Sequence, residues 1–86
     1  MAIPSPLSEA DPVFERAAEL FGVMSSPIRL RIVYMLCRQE LYVTQLLERV
    51  PATKPDMLQH LSALCRAGVL TRRREGTQTH HRIDTE

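Results

Sequence analysis

An 86-residue chain has room for one modest hydrophobic core and no second catalytic domain. Its hydrophobic share of 44% and charged share of 24% belong to a folded domain, and no apolar run approaches the roughly 20 residues of a membrane span. The net charge of +1 gives by itself no reason to expect a nucleic acid, but charge is sorted along the chain. Glu9, Asp11, Glu15 and Glu19 stand against Arg16 near the start, and Arg66, Arg72, Arg73, Arg74 and Arg82 against Glu75 near the end.

Residues 1–10 combine Pro4 and Pro6 with small and polar residues and no helical period, which predicts a flexible arm; they also lack a basic stretch followed by an apolar one. A cytoplasmic protein with reduced thiols at Cys37 and Cys65, which lack Cys-x-x-Cys spacing, is therefore expected. Asp11-Pro12 starts a first helix with an apolar stripe of Phe14, Ala17, Ala18, Phe21 and Met24. Ser26-Pro27 starts a second, over Ile28 to Arg38, apolar on most sides except at Arg29, Arg31 and Arg38, and so expected to be central and largely buried. Leu41-Tyr42-Val43 reads as a short strand, and Thr44 as the cap of a third helix through Arg49.

Val50-Pro51 ends that helix, and Thr53-Lys54-Pro55-Asp56 opens a fourth, with Met57, Leu61 and Leu64 on its core face and Ala67-Gly68 as its stop. Two helices joined by so short a turn form a helix-turn-helix. Residues 69–74 and 78–83 then flank Glu75-Gly76-Thr77 as a hairpin, the wing. The expected fold is mainly α with a small β-hairpin: a winged helix-turn-helix of four helices over residues 11–83, followed by a polar tail at 84–86.

Three stretches, taken together, resemble the arsenical-resistance repressor (ArsR/SmtB) family across residues 14–83. They are Ser26-Pro27-Ile28-Arg29-Leu30-Arg31-Ile32, Gln59-His60-Leu61 with Leu64 and Ala67-Gly68-Val69-Leu70, and Arg73-Arg74-Glu75-Gly76 with His81-Arg82-Ile83. The resemblance implies a homodimer that sits on a palindromic operator in double-stranded DNA and represses until a signal, here an unknown inducer, releases it. Where many members carry Cys-Val-Cys this chain has Tyr42-Val43-Thr44, with no thiolate for a soft metal, so no metal is expected. The chain ends at Glu86, without the helix that follows the wing in many members, so dimerisation is expected to rest on Phe14, Ala17 and Phe21, with the arm. Pro51 replaces a usual turn glycine, and Asp56 and Leu58 stand where small hydroxyl residues are common.

The candidate DNA-binding residues follow from this placement. Lys54, Pro55, Leu58, Gln59 and His60 lie in the first turns of helix 53–67, where side chains enter the major groove and a Gln can pair with adenine. His60 can equally serve local packing. Arg72, Arg73 and Arg74 suit phosphates, although strand alternation puts Arg73 on the face opposite its neighbours, and His80 and His81 likewise point apart and cannot readily share one ion. Two other readings fit the residues: a protein-interaction module that uses Phe14 and Phe21, and a thiol-responsive sensor that uses Cys37 and Cys65, which otherwise are inert core residues. No nucleophile, base and orienting group occur together and no phosphate loop exists, so neither an enzyme nor a cofactor is expected.

Overall fold

Each boundary of the fourth helix has a local cause. In the computed structural model, which describes residues 11–84, Thr53 Oγ1 accepts from the Asp56 N–H at 3.2 Å and opens the helix Lys54–Arg66. At its other end Gly68 takes a φ of +80°, so that its N–H reaches Cys65 O and the Val69 N–H reaches Leu64 O, both at 3.0 Å. That pair of bonds is a Schellman ending, and a side chain at Gly68 would also meet the Arg16 guanidinium 3.0 Å away.

The elements in chain order are α1 (Asp11–Val23), α2 (Pro27–Leu36), β1 (Leu41–Tyr42), α3 (Val43–Arg49), α4 (Lys54–Arg66), β2 (Leu70–Glu75) and β3 (Gln78–Ile83). They form a winged helix-turn-helix, with an antiparallel sheet in the order β1-β3-β2. Ile32 and Leu36 of α2, Leu41, Leu46 and Val50 around α3, Met57, Leu61 and Leu64 of α4, and Leu70 of β2 make the core. Asp84 N–H donates to Val69 O at 3.0 Å and closes the base of the wing. The arm expected over residues 1–10 and the last two residues of the tail lie outside the described residues.

Four expectations need correction. Helix α2 is not largely buried: Ile32 and Leu36 face the core, but Leu30 is 52% and Tyr34 65% exposed. The cap of α3 is Tyr42, not Thr44; the Gln45 side chain, one turn on, accepts from the Tyr42 N–H at 2.8 Å and so starts the helix two residues earlier. Glu75 belongs to β2, opposite Gln78, because Gly76 with its φ of +60° lets a two-residue turn suffice. Cys37 is not a core residue but the exposed C-cap of α2. Pro51 fits its turn without a left-handed residue, since the Ala52 N–H closes onto Val50 O at 2.8 Å.

Candidate nucleic-acid interface

With Met57, Leu61 and Leu64 fixed against the core, helical spacing leaves Pro55, Leu58, Gln59, Ser62 and Arg66 as the outer ridge of α4. Leu58, Gln59, Ser62 and Arg66 line one shallow depression there. Pro55, Leu58 and Gln59 are exposed, as is Lys54 at the first turn. His60 is turned the other way. Its Nδ1 accepts from Arg29 Nε at 3.1 Å, and Arg29 also donates to Val23 O at 3.3 Å, so the pair ties the end of α1, α2 and α4 together.

The wing lies beside this ridge. Strand alternation and register put Leu70, Arg72, Arg74, Thr79 and His81 on the inner face of the hairpin, and Arg73, Glu75, Gln78 and His80 on the outer one. Between the inner face and α4 run two adjoining cavities of about 420 and about 180 Å³ that share Val43, Leu58 and Thr79. Arg72 and Arg74 line the larger, Lys54 and Thr77 the smaller. Arg74 Nε donates to Gly76 O at 3.3 Å, and Arg72 has no ion-pair partner among the described residues.

His81 sits at the floor of that groove, 2% exposed, between Leu41 and Arg72 in the sheet register. Neither ring nitrogen has a hydrogen-bond partner. Burial first, then the charges of Arg72 and His80, lower its pKa to about 4, so the ring is neutral at pH 7. Cys65, half-buried on α4, has its thiol pushed up by burial against the opposing pull of Arg72. A thiol so raised is a poor thiolate.

The outer face carries a network centred on His80. His80 Nδ1 lies 3.2 Å from both Glu40 Oε2 and Arg73 Nη2, and His80 Nε2 lies 3.4 Å from Glu75 Oε1. Arg73 Nη2 also reaches Glu40 at 3.3 Å and Glu75 at 3.8 Å, while Tyr42 stacks edge-on against His80 and donates its hydroxyl to Glu75 at 3.4 Å. The hydrogen bond to His80 holds Glu40 below its usual 4.5; a desolvation effect opposes it, and the charges of Arg73, His80 and Arg82 add to it. No group of three or more His, Cys, Asp or Glu side chains among the described residues is placed to hold a metal ion.

The sequence profile described as "Bacterial regulatory protein, arsR family" matches residues 26–72, from the cap of α2 to the start of the wing. KmtR of Mycobacterium tuberculosis, an HTH-type transcriptional regulator, is 31% identical over 68 residues, which are 79% of this chain and 52% of KmtR. The chain belongs to the arsR family. It spans about half the length of KmtR. The crystal structure of Rv0081 from M. tuberculosis superposes with a TM-score of 0.81 at 32% identity, covering 86% of this chain and 75% of that one. The homodimeric winged helix-turn-helix DNA-binding domain of Mb0332 from Mycobacterium bovis gives 0.81 at 25% identity, covering 98% and 76%.

Within this arsR-family fold the structure lines one groove with Lys54, Leu58, Arg72 and Arg74, leaves Gln59 in the depression on the outer ridge of α4 and Pro55 exposed on that ridge, and separates His60 and Arg73 from the groove. Phe14 and Phe21 of α1 are exposed and Ala17 is half-buried; Cys37 and Cys65 are free thiols at the end of α2 and on α4. Sequence reasoning missed His81, whose burial follows from β1 pairing onto β3, and the Glu40–Arg73–His80 cluster, whose members come from the connection before β1, from β2 and from β3. Thr79 was also missed, although its alternation with His81 would have put it on the inner face.

Proposed function

We propose that this chain is a DNA-binding transcriptional repressor that binds a palindromic operator as a homodimer in the cytoplasm and is released by an inducing signal. The reading is of a binding protein, not an enzyme. The observation that carries it is the groove between the outer ridge of α4 and the inner wing, bordered by Lys54, Arg72 and Arg74. An α-helix fits the major groove of B-DNA, and cationic side chains beside it suit the phosphates. In this reading Gln59 and Leu58 meet base edges, Pro55 abuts the backbone, and Arg72 and Arg74 grip phosphates. Arg73 and His60 hold the wing and the helix in place. Phe14, Ala17 and Phe21 supply the dimer contacts in this reading; that the Mb0332 domain is homodimeric supports a dimer. Neither a metal nor a thiol switch is part of it: Tyr42 and Thr44 offer no thiolate, and the raised Cys65 thiol disfavours reaction.

The experiment is selection of a preferred duplex followed by paired titrations of wild type and Gln59→Ala on selected and scrambled DNA. Removing one bidentate pairing with a base is expected to cost about 1 to 3 kcal/mol on the selected site and far less on the scrambled one. Equal losses on both, or no selectable site, would leave a protein-interaction module as the better account.

A further inference from the structure

The inner face of the wing carries a polar block that contacts to phosphates leave half used. The register sets Arg72 opposite His81 and Arg74 opposite Thr79, so two guanidinium groups, an imidazole and a hydroxyl stand two by two on one side of the hairpin. Leu58 and Leu61 of α4 and Val43 of α3 form the wall across from it, and the space between is the cavity of about 420 Å³. The phosphates of a duplex would meet Arg72 and Arg74, which are exposed at the rim. They would leave His81 untouched, because it is 2% exposed and lines the floor, with both ring nitrogens unpartnered. A hairpin that needed only to pack would be served better by an apolar residue there, since a buried polar group without a partner opposes folding.

We propose that this block binds a small carboxylic acid with a compact apolar body, and that such a ligand and a DNA duplex exclude each other. A carboxylate has two acceptor oxygens and forms charge-assisted bonds with a guanidinium. One oxygen can accept from Arg72 and the other from the imidazole N–H opposite it, with Arg74 and Thr79 as further donors. His81 is neutral at pH 7, because burial first and the charges of Arg72 and His80 next hold its pKa at about 4, so it offers a donor without adding a third positive charge. The wall decides the class of ligand. Val43, Leu58 and Leu61 suit a hydrocarbon body, whereas inorganic phosphate would lose water there and gain nothing in return. An apolar wall facing a few convergent polar groups is the make-up of small-molecule sites, whose volumes run from roughly 300 to 1,000 Å³. A bound carboxylate also neutralises Arg72 and Arg74, the cations assigned to phosphates under the function proposed above. The exclusion rests on that function; the binding needs only the block.

Benzoate is the probe, with benzamide as the same body without charge and inorganic phosphate as charge without the body, all at one ionic strength set with sodium chloride. NMR of the histidine rings follows binding, and anisotropy of a labelled duplex follows release. Benzoate is expected to shift the His81 ring signals saturably while those of His60, on the other side of α4, stay in place, and to raise the apparent Kd of the duplex in proportion to its concentration. Benzamide and phosphate are each expected to bind about tenfold more weakly or worse. His81→Leu should weaken benzoate by about tenfold or more and call for correspondingly more of it to displace a duplex, and the near-isosteric Thr79→Val should weaken it by about threefold. No shift at His81, phosphate binding as well as benzoate, or unaltered benzoate affinity in His81→Leu would each overturn the site. A shift at His81 without displacement of the duplex would overturn the exclusion. A wild-type chain that binds benzoate but no duplex would overturn the repressor reading and leave the site standing, so the two failures are told apart.

Discussion

The two faces of the wing carry the same residue types and put them to opposite uses. On the outer face Arg73 and His80 are enclosed by Glu40, Glu75 and Tyr42, and Arg73, His80, Glu40 and Glu75 each have a partner within 4 Å, whereas Arg82 farther along the same face has no ion pair among the described residues. On the inner face Arg72 has no such partner, Arg74 only the carbonyl of Gly76, and His81 is buried with both nitrogens unsatisfied. One step along a strand separates the members of each pair. What differs is the neighbour: β1 and the residue before it bring a carboxylate and a phenol to the outer face, while α4 and α3 bring Leu61, Leu58 and Val43 to the inner one. The outer face ties the hairpin to the residue before β1, and the inner face leaves Arg72 and Arg74 without an ion-pair partner among the described residues, as the proposed phosphate contacts require.

The largest effect expected from this contrast is on stability in acid. His81 titrates near 6.5 when exposed in the unfolded chain and at about 4 when folded, so the unfolded state binds more protons between those values. Stability from this group is complete above pH 6.5, falls as pH drops to 4, and is then flat; the loss is on the order of 3 kcal/mol. Replacing His81 with Leu should remove that dependence, and at pH 7 should stabilise by about 1 to 2 kcal/mol because two buried unsatisfied atoms disappear. Urea titrations of both proteins at pH 7, 5.5 and 4.5 measure the difference. Parallel curves at all three would show that His81 is hydrated.

Second in size is the difference between arginines. Arg72→Ala with Arg74→Ala should weaken binding to any duplex by about 10- to 100-fold and lower the slope of log affinity against log salt by about two, one for each phosphate no longer neutralised. Arg73→Ala should leave the slope unchanged. Anisotropy titrations across a salt series give both numbers, and a slope that falls with Arg73→Ala alone would exchange the roles of the two faces.

This contrast was half legible in the residues. Alternation alone sets Arg73 apart from Arg72 and Arg74, and His80 from His81, and the caps of α4 are readable because Thr53, Pro55 and Gly68 each act within their own turn. Which face is inner is not readable. That depends on a strand of two residues, Leu41–Tyr42, pairing across 38 to 40 positions with His80 and His81, and so short a strand has no period of its own. The exposure of Leu30 and Tyr34 was illegible for another reason. An apolar side chain on a helix reads as core whether its cover comes from the same chain or from another one.

The smallest effect concerns the outer network, and it tests whether enclosure amounts to rigidity alone. Glu40 is lowered by its hydrogen bond to His80 and by the surrounding cations, so it favours the folded state above its ordinary pKa of 4.5 and loses that contribution as pH falls through the lower folded value. The window lies below most of that of His81, which allows the two to be separated in one titration. Because the cluster is solvent-exposed, Glu40→Gln is expected to lower the melting temperature at pH 7 by less than about 4 °C, and less still in high salt. The deficit should vanish in acid, where wild-type Glu40 is itself protonated. DNA affinity should fall only slightly, since Arg72 and Arg74 are untouched and only the mean position of the hairpin shifts. A loss of duplex binding comparable to that of the Arg72 and Arg74 double variant would show instead that Glu40, through Arg73 and His80, sets the geometry of the inner groove, and the two faces would then act as one device.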